Sequence, residues 1–88
     1  MADKGETEQK ISQINGQLEM LINDMSVPKN VRNAIVQAKE KLNSNGEYSV
    51  RISSAIYGLD SVSNDVNLPL QARTMIWSAL SILESIKG

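Results

Sequence analysis

Aspartate, proline and arginine recur at one spacing in two parts of the chain. The first set is repeated 41 residues later, so that Asp24, Pro28 and Arg32 correspond to Asp65, Pro69 and Arg73. A carboxylate can accept N–H hydrogen bonds or bind a metal, and a guanidinium binds carboxylates and phosphates. If both copies met at one end of a domain, they could line a pocket, with or without a metal ion.

A structural role explains the same residues more simply. Proline lacks an N–H group and has a helix-compatible φ, so Pro28 and Pro69 are predicted to open helices. A preceding aspartate can accept the first N–H groups of the chain reversal, and an arginine one turn into the helix can reach back to the carboxylate. We therefore predict two turn clamps. The pairs are Asp24 with Arg32 and Asp65 with Arg73.

The absent residue types exclude much chemistry. The chain has no histidine and no cysteine, so the commonest general base, the commonest zinc ligands and disulfides are missing. Neither a glycine-rich phosphate loop nor a nucleophile elbow occurs. We predict no catalytic residue, no cofactor and no metal site, and therefore no enzyme. The absence of a signal peptide's apolar core and of a membrane-length apolar run predicts a soluble, cytoplasmic protein.

A basic strip carries the alternative function. Lys29, Arg32 and Lys39 share one flank of the second predicted helix. Such a strip can bind a phosphate backbone with strong salt dependence, as in a nucleic-acid or ribosome accessory protein. A net charge of -1 gives the whole molecule no field that attracts nucleic acid, and three charges without interleaved aromatic residues also fit a solvated helix face.

Apolar residues recur at helical spacing in four segments. The stripes are Ile11, Ile14, Leu18, Leu21 and Met25; Val31, Ala34, Ile35, Ala38 and Leu42; Tyr48, Ile52, Ala55, Ile56, Leu59 and Val62; and Ala72, Ile76, Ala79, Leu83 and Ile86. This spacing predicts four helices and no strand. We place a flexible tail at residues 1–7 and a single domain at residues 8–88.

The repeat covers whole helical hairpins, at residues 8–43 and 47–86. A period near 40 with two helices in each unit is typical of HEAT repeats, which are the alternative architecture. Two units are fewer than the three or so that an open solenoid needs to bury a continuous core. We therefore predict an all-α, up-and-down four-helix bundle built from two repeated hairpins.

The fourth predicted helix is more apolar than its counterpart. Lys29, Val36 and Lys41 become Leu70, Trp77 and Ile82. Leu70 and Trp77 lie one above the other, off the main stripe, and Arg73 and Glu84 flank them, with Arg73 placed to stack on Trp77. These four residues form a candidate interface through which the protein binds itself, as a dimer, or another protein. The alternative is that this helix is simply the most buried.

Two segments resemble a known family. The stretches "VPKNVR" and "LPLQARTMIW" are similar to those of an uncharacterised family of short archaeal proteins, most specifically at Arg73, Ile76 and Trp77. The likeness extends from about Leu18 to Ile86, although this chain has Val66 where the family pattern often has a second proline. The resemblance implies a compact all-helical bundle in an archaeal cytoplasm. It implies no activity and no site residues.

Overall fold

Four helices and no strand make up residues 4–87, the part of the chain that the computed structural model describes. The helices are α1 (Lys4–Ile22), α2 (Lys29–Leu42), α3 (Tyr48–Asp60) and α4 (Leu70–Lys87). The predicted all-α class is confirmed. The first helix starts earlier than predicted, because the segment assigned to a tail is helical from Lys4 and Thr7 is buried. Residues 1–3 of that predicted tail lie outside the described range.

The four helices close into a ring in chain order. Each helix packs against the next, and α4 returns to pack against α1, whereas the backbones of the diagonal pairs within the described residues do not come within 8 Å of each other, measured between Cα atoms. An open HEAT arrangement lacks this closing contact, so the up-and-down bundle is the observed architecture. The described body measures 37 × 21 × 19 Å.

Most of the core comes from the predicted apolar stripes. The most deeply buried large side chains are Ile14, Leu18, Ile35, Leu42, Leu59, Ile76, Leu83, Val27 and Val31. Met25 is the exception among the predicted core residues: it lies beyond the end of α1 and is 80% exposed. Helical spacing does not predict burial at Met25, because α1 has already ended at Ile22.

The prolines precede the helices by one residue. Pro28 is the N-cap of α2, and its carbonyl accepts the first helical hydrogen bond, from Arg32 N at 2.9 Å. Pro69 O accepts the corresponding bond from Arg73 N, also at 2.9 Å. The predicted first helical position is therefore off by one. A proline suits either position, since neither requires its missing N–H group.

The side chains immediately before the prolines are buried, which the helical pattern did not predict. Val27 and Leu68 both belong to the core. A residue before proline is held in an extended conformation, outside the helix, so periodicity gives no information about where it points. Here the extended conformation turns an apolar side chain inward at each reversal, and the two residues close one end of the core.

The bundle has two distinct ends. The turn end contains both aspartate–proline turns, and Asn30 Nδ2 donates to Asp65 Oδ2 across it at 3.3 Å. At the terminal end, Lys10 Nζ donates to Ser85 Oγ at 3.2 Å, and the Tyr48 hydroxyl donates to the Glu8 carboxylate. Both Asp–Pro–Arg sets therefore share one end, as an up-and-down arrangement requires.

Helices α2 and α3 approach each other at a glycine. A Cβ atom at position 58 would lie 3.3 Å from Ala38 Cβ, which is tighter than ordinary van der Waals contact. By contrast, a Cβ atom at the exposed Gly16 would meet no atom within 4 Å. Gly58 is thus a packing residue, whereas Gly16 is an unfavourable helix residue with no packing reason.

The same substitution is expected to act oppositely at the two glycines. Gly58→Leu should lower the free energy of unfolding by about 1–3 kcal/mol, because the added side chain forces α2 and α3 apart. Gly16→Leu should raise it by about 0.5–1 kcal/mol through helix propensity alone. Urea unfolding followed by circular dichroism measures both, and a Gly58→Leu variant as stable as wild type would contradict the packing role.

Candidate functional site

The first aspartate holds its own turn. Asp24 Oδ1 accepts hydrogen bonds from Ser26 N at 2.9 Å and from Ser26 Oγ at 2.6 Å. The Asp24 carbonyl accepts a further bond from Val27 N at 3.1 Å. The Ser26 hydroxyl and N–H bonds stabilise the ionised carboxylate and so lower the pKa of Asp24 below its ordinary value. An aspartate that bonds the backbone two residues ahead forms an Asx-turn, a common way to reverse a chain.

The second aspartate repeats this geometry. Asp65 Oδ1 accepts a hydrogen bond from Asn67 N at 2.9 Å, and the Asp65 carbonyl accepts one from Leu68 N at 3.1 Å. Asn67 occupies the position that Ser26 has in the first turn. The other carboxylate oxygen, Oδ2, is the acceptor of the bond from Asn30 on α2. Asp65 thus stabilises its own turn and ties it to the other hairpin.

The arginines bind the turn backbone instead of the carboxylates. Arg32 Nε donates to the Val27 carbonyl at 3.1 Å, and an Arg73 terminal nitrogen donates to the Asp65 carbonyl at 2.9 Å. Within residues 4–87, no ion pair joins Asp24 to Arg32 or Asp65 to Arg73. The predicted pairs therefore share a turn without touching through their charged groups. A guanidinium suits this role, because its fork of N–H groups can donate to a turn carbonyl from the following helix.

The shared end does not assemble a cluster of acids. Each aspartate accepts N–H bonds from its own turn, and the described residues contain no group of three or more acidic side chains that could hold a metal. The pocket considered from the sequence required these carboxylates to be free and convergent. Asn30 of α2 bonds the Asp65 carboxylate, and each carboxylate also accepts hydrogen bonds within its own turn.

We expect Asp65→Ala to destabilise the bundle by about 0.5–2 kcal/mol, the usual cost of losing a side-chain cap. The reason is that Asn67 N and Asn30 Nδ2 both lose their acceptor. Asp60→Ala is the matched control, because this exposed aspartate has no comparable side-chain bond to a turn. Thermal unfolding at neutral pH measures the difference, and equal melting temperatures for the two variants would exclude the turn-clamp role.

One member of the basic strip is paired with an acid, and another donates to the turn backbone. Lys39 Nζ forms an ion pair with Glu19 Oε2 at 2.5 Å, and this bond lowers the pKa of Glu19. Arg32 is directed to the turn carbonyl, which leaves Lys29 as the exposed member. The strip therefore offers less free positive charge than the sequence suggested.

A binding titration against single-stranded RNA tests this alternative. We expect no measurable binding at low salt, because one exposed lysine releases too few counterions to give useful affinity. Glu19→Gln is the informative variant, since it removes the acid that pairs with Lys39. Salt-dependent binding by the wild-type chain that is lost in Lys29→Gln would instead establish the nucleic-acid function.

The α4 outer face, defined here as Leu70, Thr74, Trp77 and Ser81, is exposed to solvent. Leu70 is 72% exposed and Trp77 is 48% exposed, on the side of α4 opposite the buried Ile76. A helix that was merely the most buried would cover both side chains. The half-exposed indole is unusual for a tryptophan, a residue that is on average highly buried.

The charged residues beside this face are arranged differently from the prediction. Glu84 is exposed, but Arg73 is turned to the Asp65 carbonyl and not stacked on Trp77. Within the described range, the cation–π contact is between Arg51 and Tyr48, with the guanidinium carbon 4.7 Å from the ring centre. Arg73 therefore contributes to the turn and makes no cation–π contact with Trp77.

A groove beside the outer face was not predicted. It has a volume of about 640 Å³ and is lined by Gln17 of α1 and by Leu70, Gln71, Thr74, Met75 and Ser78 of α4. Exposed Val66 precedes α4 in the adjoining turn. The sequence shows each of these residues, but only the pairing of α1 with α4 brings Gln17 to this face.

Comparison with known proteins places this bundle in a family. Residues 1–86 match the model of an uncharacterised protein family, UPF0147. A UPF0147 protein of Methanocaldococcus jannaschii is 49% identical over 71 residues, which cover 80% of this chain and 76% of that protein. One from Methanothermobacter thermautotrophicus is 46% identical over 83 residues, covering 93% of this chain and 78% of that protein.

Two crystal structures have the same fold. A protein of unknown function, MMP1188, is 41% identical, with a TM-score of 0.87, and the match covers 99% of this chain and 100% of that one. A UPF0147 protein from Thermoplasma acidophilum is 31% identical, with a TM-score of 0.84, and the match covers 90% and 94% of the two chains. These matches confirm both the four-helix fold and the resemblance to an archaeal family, and they bring no assigned function. The chain belongs to the uncharacterised protein family UPF0147.

Proposed function

We propose that this protein is a non-enzymatic interaction module that binds protein through the α4 outer face. The observation that supports this most directly is the 48% exposure of Trp77, the only tryptophan in the chain. Tryptophan is strongly enriched among the residues that dominate binding energy at protein interfaces. Leu70, two helical turns away and on the same face, is more exposed still.

The cost of this exposure supports a binding role. A tryptophan side chain has roughly 200 Å² of surface to bury, so half of it leaves about 100 Å² in water. At about 25 cal/mol per Å², covering that area would contribute about 2.5 kcal/mol. The equivalent residue on α2 is Val36, which is smaller, and Leu70 has Lys29 as its equivalent. The outer face of α4 is thus more apolar than the equivalent face of α2. This difference is expected if the α4 face binds a partner and the α2 face is solvated.

The acidic and basic residues that recur in the two hairpins support a non-enzymatic role. Their side chains bond the turns in which they lie, through Ser26 N, Asn67 N, and the carbonyls of Val27 and Asp65. A group with a structural partner in the resting fold is a poor general base, because proton transfer would break the turn that positions it. No helix in the described range combines the length and apolar character of a membrane span. The cytoplasmic location stays a prediction.

Photo-crosslinking in an extract of the source cells tests the proposal. A photoreactive residue at Ser81, within the α4 outer face, is expected to give discrete protein adducts, whether with this chain or another. The matched control is the same residue at Glu40, the equivalent exposed position on α2. Trp77→Val, which installs the residue that α2 has at this place, should reduce the Ser81 adducts at least tenfold. Equal labelling at positions 81 and 40, unaffected by Trp77→Val, would exclude the α4 outer face.

A further inference from the structure

Charge is distributed unequally between the two hairpins. Thirteen of the charged residues lie in residues 1–47 and six in residues 48–88. Three of the six have partners within the fold: Arg51 donates to the Leu42 carbonyl, Arg73 to the Asp65 carbonyl, and Asp65 accepts from Asn67 and Asn30. Asp60 and Glu84 are the exposed acids that remain in residues 48–86. The second hairpin therefore presents a surface with very little charge.

The centre of the α4 outer face carries no charge, and Glu84 lies beyond its C-terminal end, seven residues from Trp77. The face is completed by Thr74 and Ser81, both exposed and small. A two-fold symmetric interface places the same patch of both subunits in contact, so any charge at its centre would repel its own copy. An uncharged centre with an aromatic anchor meets that requirement, whereas the lysine-bearing and glutamate-bearing face of α2 does not.

We propose that the partner of the α4 outer face is a second copy of this chain, paired antiparallel about a two-fold axis at Trp77. This inference rests on the proposed function and adds the identity of the partner. Leu70 and Glu84 are each seven residues from Trp77 in opposite directions. An axis at Trp77 therefore brings Glu84 of one copy beside Leu70, in the first turn of α4, of the other.

Charge selects this orientation over the parallel one. The N-terminal turn of a helix is the positive end of its dipole, so it attracts the Glu84 carboxylate of the other copy. Arg73 lies in the same part of α4 and adds positive charge there. In a parallel pair, Glu84 would instead face Glu84, with like charges opposed.

The size of the bundle allows such a pair. A lateral face of the described body is 37 by 21 Å, which is about 780 Å². A stable dimer of ordinary size buries about 800 Å² on each partner. The lateral outline of the body is therefore comparable in size to the surface that a stable dimer buries on each partner.

Sedimentation equilibrium tests the identity of the partner. The wild-type chain is expected to dimerise below about 1 mM, with a blue shift of its single tryptophan emission as concentration rises. The double variant Leu70→Lys and Trp77→Val should raise the dimer Kd at least thirtyfold, as expected for the loss of a central anchor. These are the residues of the equivalent α2 positions, so folding should be unaffected, and circular dichroism verifies this. Val36→Ala is the matched control and should leave the Kd unchanged.

Disulfide trapping tests the orientation, since the chain contains no cysteine. With the axis at Trp77, position 74 of one copy lies opposite position 80 of the other, next to position 81. A mixture of Thr74→Cys and Ser81→Cys chains should form a heterodisulfide. Ser81→Cys alone should not, because its two sites would be about 12 Å apart along the helices, beyond disulfide reach. Asn33→Cys with Glu40→Cys, the equivalent exposed α2 pair, is the control and should not cross-link.

Two results would overturn the inference. A strict monomer up to about 1 mM removes the second copy as partner, while Trp77-dependent adducts of another mass in the extract would still support the proposed function. If the double variant still dimerises, the dimer interface lies elsewhere. If the adducts formed in the extract are also independent of Trp77, the proposed function fails as well. If the double variant weakens the dimer but Ser81→Cys chains alone cross-link efficiently, the antiparallel orientation is contradicted.

Discussion

The fold depends on one constraint: a chain that reverses just before a proline must satisfy its turn without the proline's N–H group. Asp24 and Asp65 supply a side-chain acceptor to the backbone two residues ahead, and an arginine from the following helix donates to a turn carbonyl. Because the residue before proline is held extended, the same turn points an apolar side chain into the core. Each reversal therefore hydrogen-bonds its backbone through nearby side chains and closes one end of the core.

This turn chemistry also gives a structural role to the charged residues that recur in the two hairpins. The carboxylates bond the turn N–H groups, and the guanidinium groups bond turn carbonyls, so each kind of group has a partner in its own turn. The bond from Asn30 to Asp65 then links the two hairpins at their common end. Groups that look catalytic by type act here as internal partners of the backbone.

The helices differ in how closely they pack and in the apolar side chains that they expose, and α4 exposes Leu70 and Trp77. Small residues at Gly58 and Ala38 let α2 and α3 approach closely. Helix α4 instead keeps Leu70 and Trp77 outside, where the matching positions of α2 have Lys29 and Val36. An apolar face with little charge is suited to a partner of the same kind, since polar groups are not stranded and like charges are not opposed. The two hairpins share their turns but differ in what they show to solvent.

Local rules in the sequence determined the helices, the reversals and most of the core. Apolar spacing predicted the stripes, and the prolines marked two helix starts to within one residue, because both signals depend on neighbours along the chain. The same rules failed at Met25, Val27 and Leu68, which lie outside a helix, where periodicity has no meaning. The early start of α1 was also missed, because its first residues are polar and Thr7 is buried by contacts from elsewhere in the bundle.

Only the tertiary structure decided which groups reach one another. It directed Arg73 to a carbonyl and not to the Trp77 ring, paired Lys39 with Glu19, and brought Gln17 beside α4. It also left Trp77 half exposed, whereas the sequence was equally compatible with a core position and an interface position. These outcomes depend on which helices are neighbours in space and how far each is rotated, and a pattern along one helix contains neither quantity.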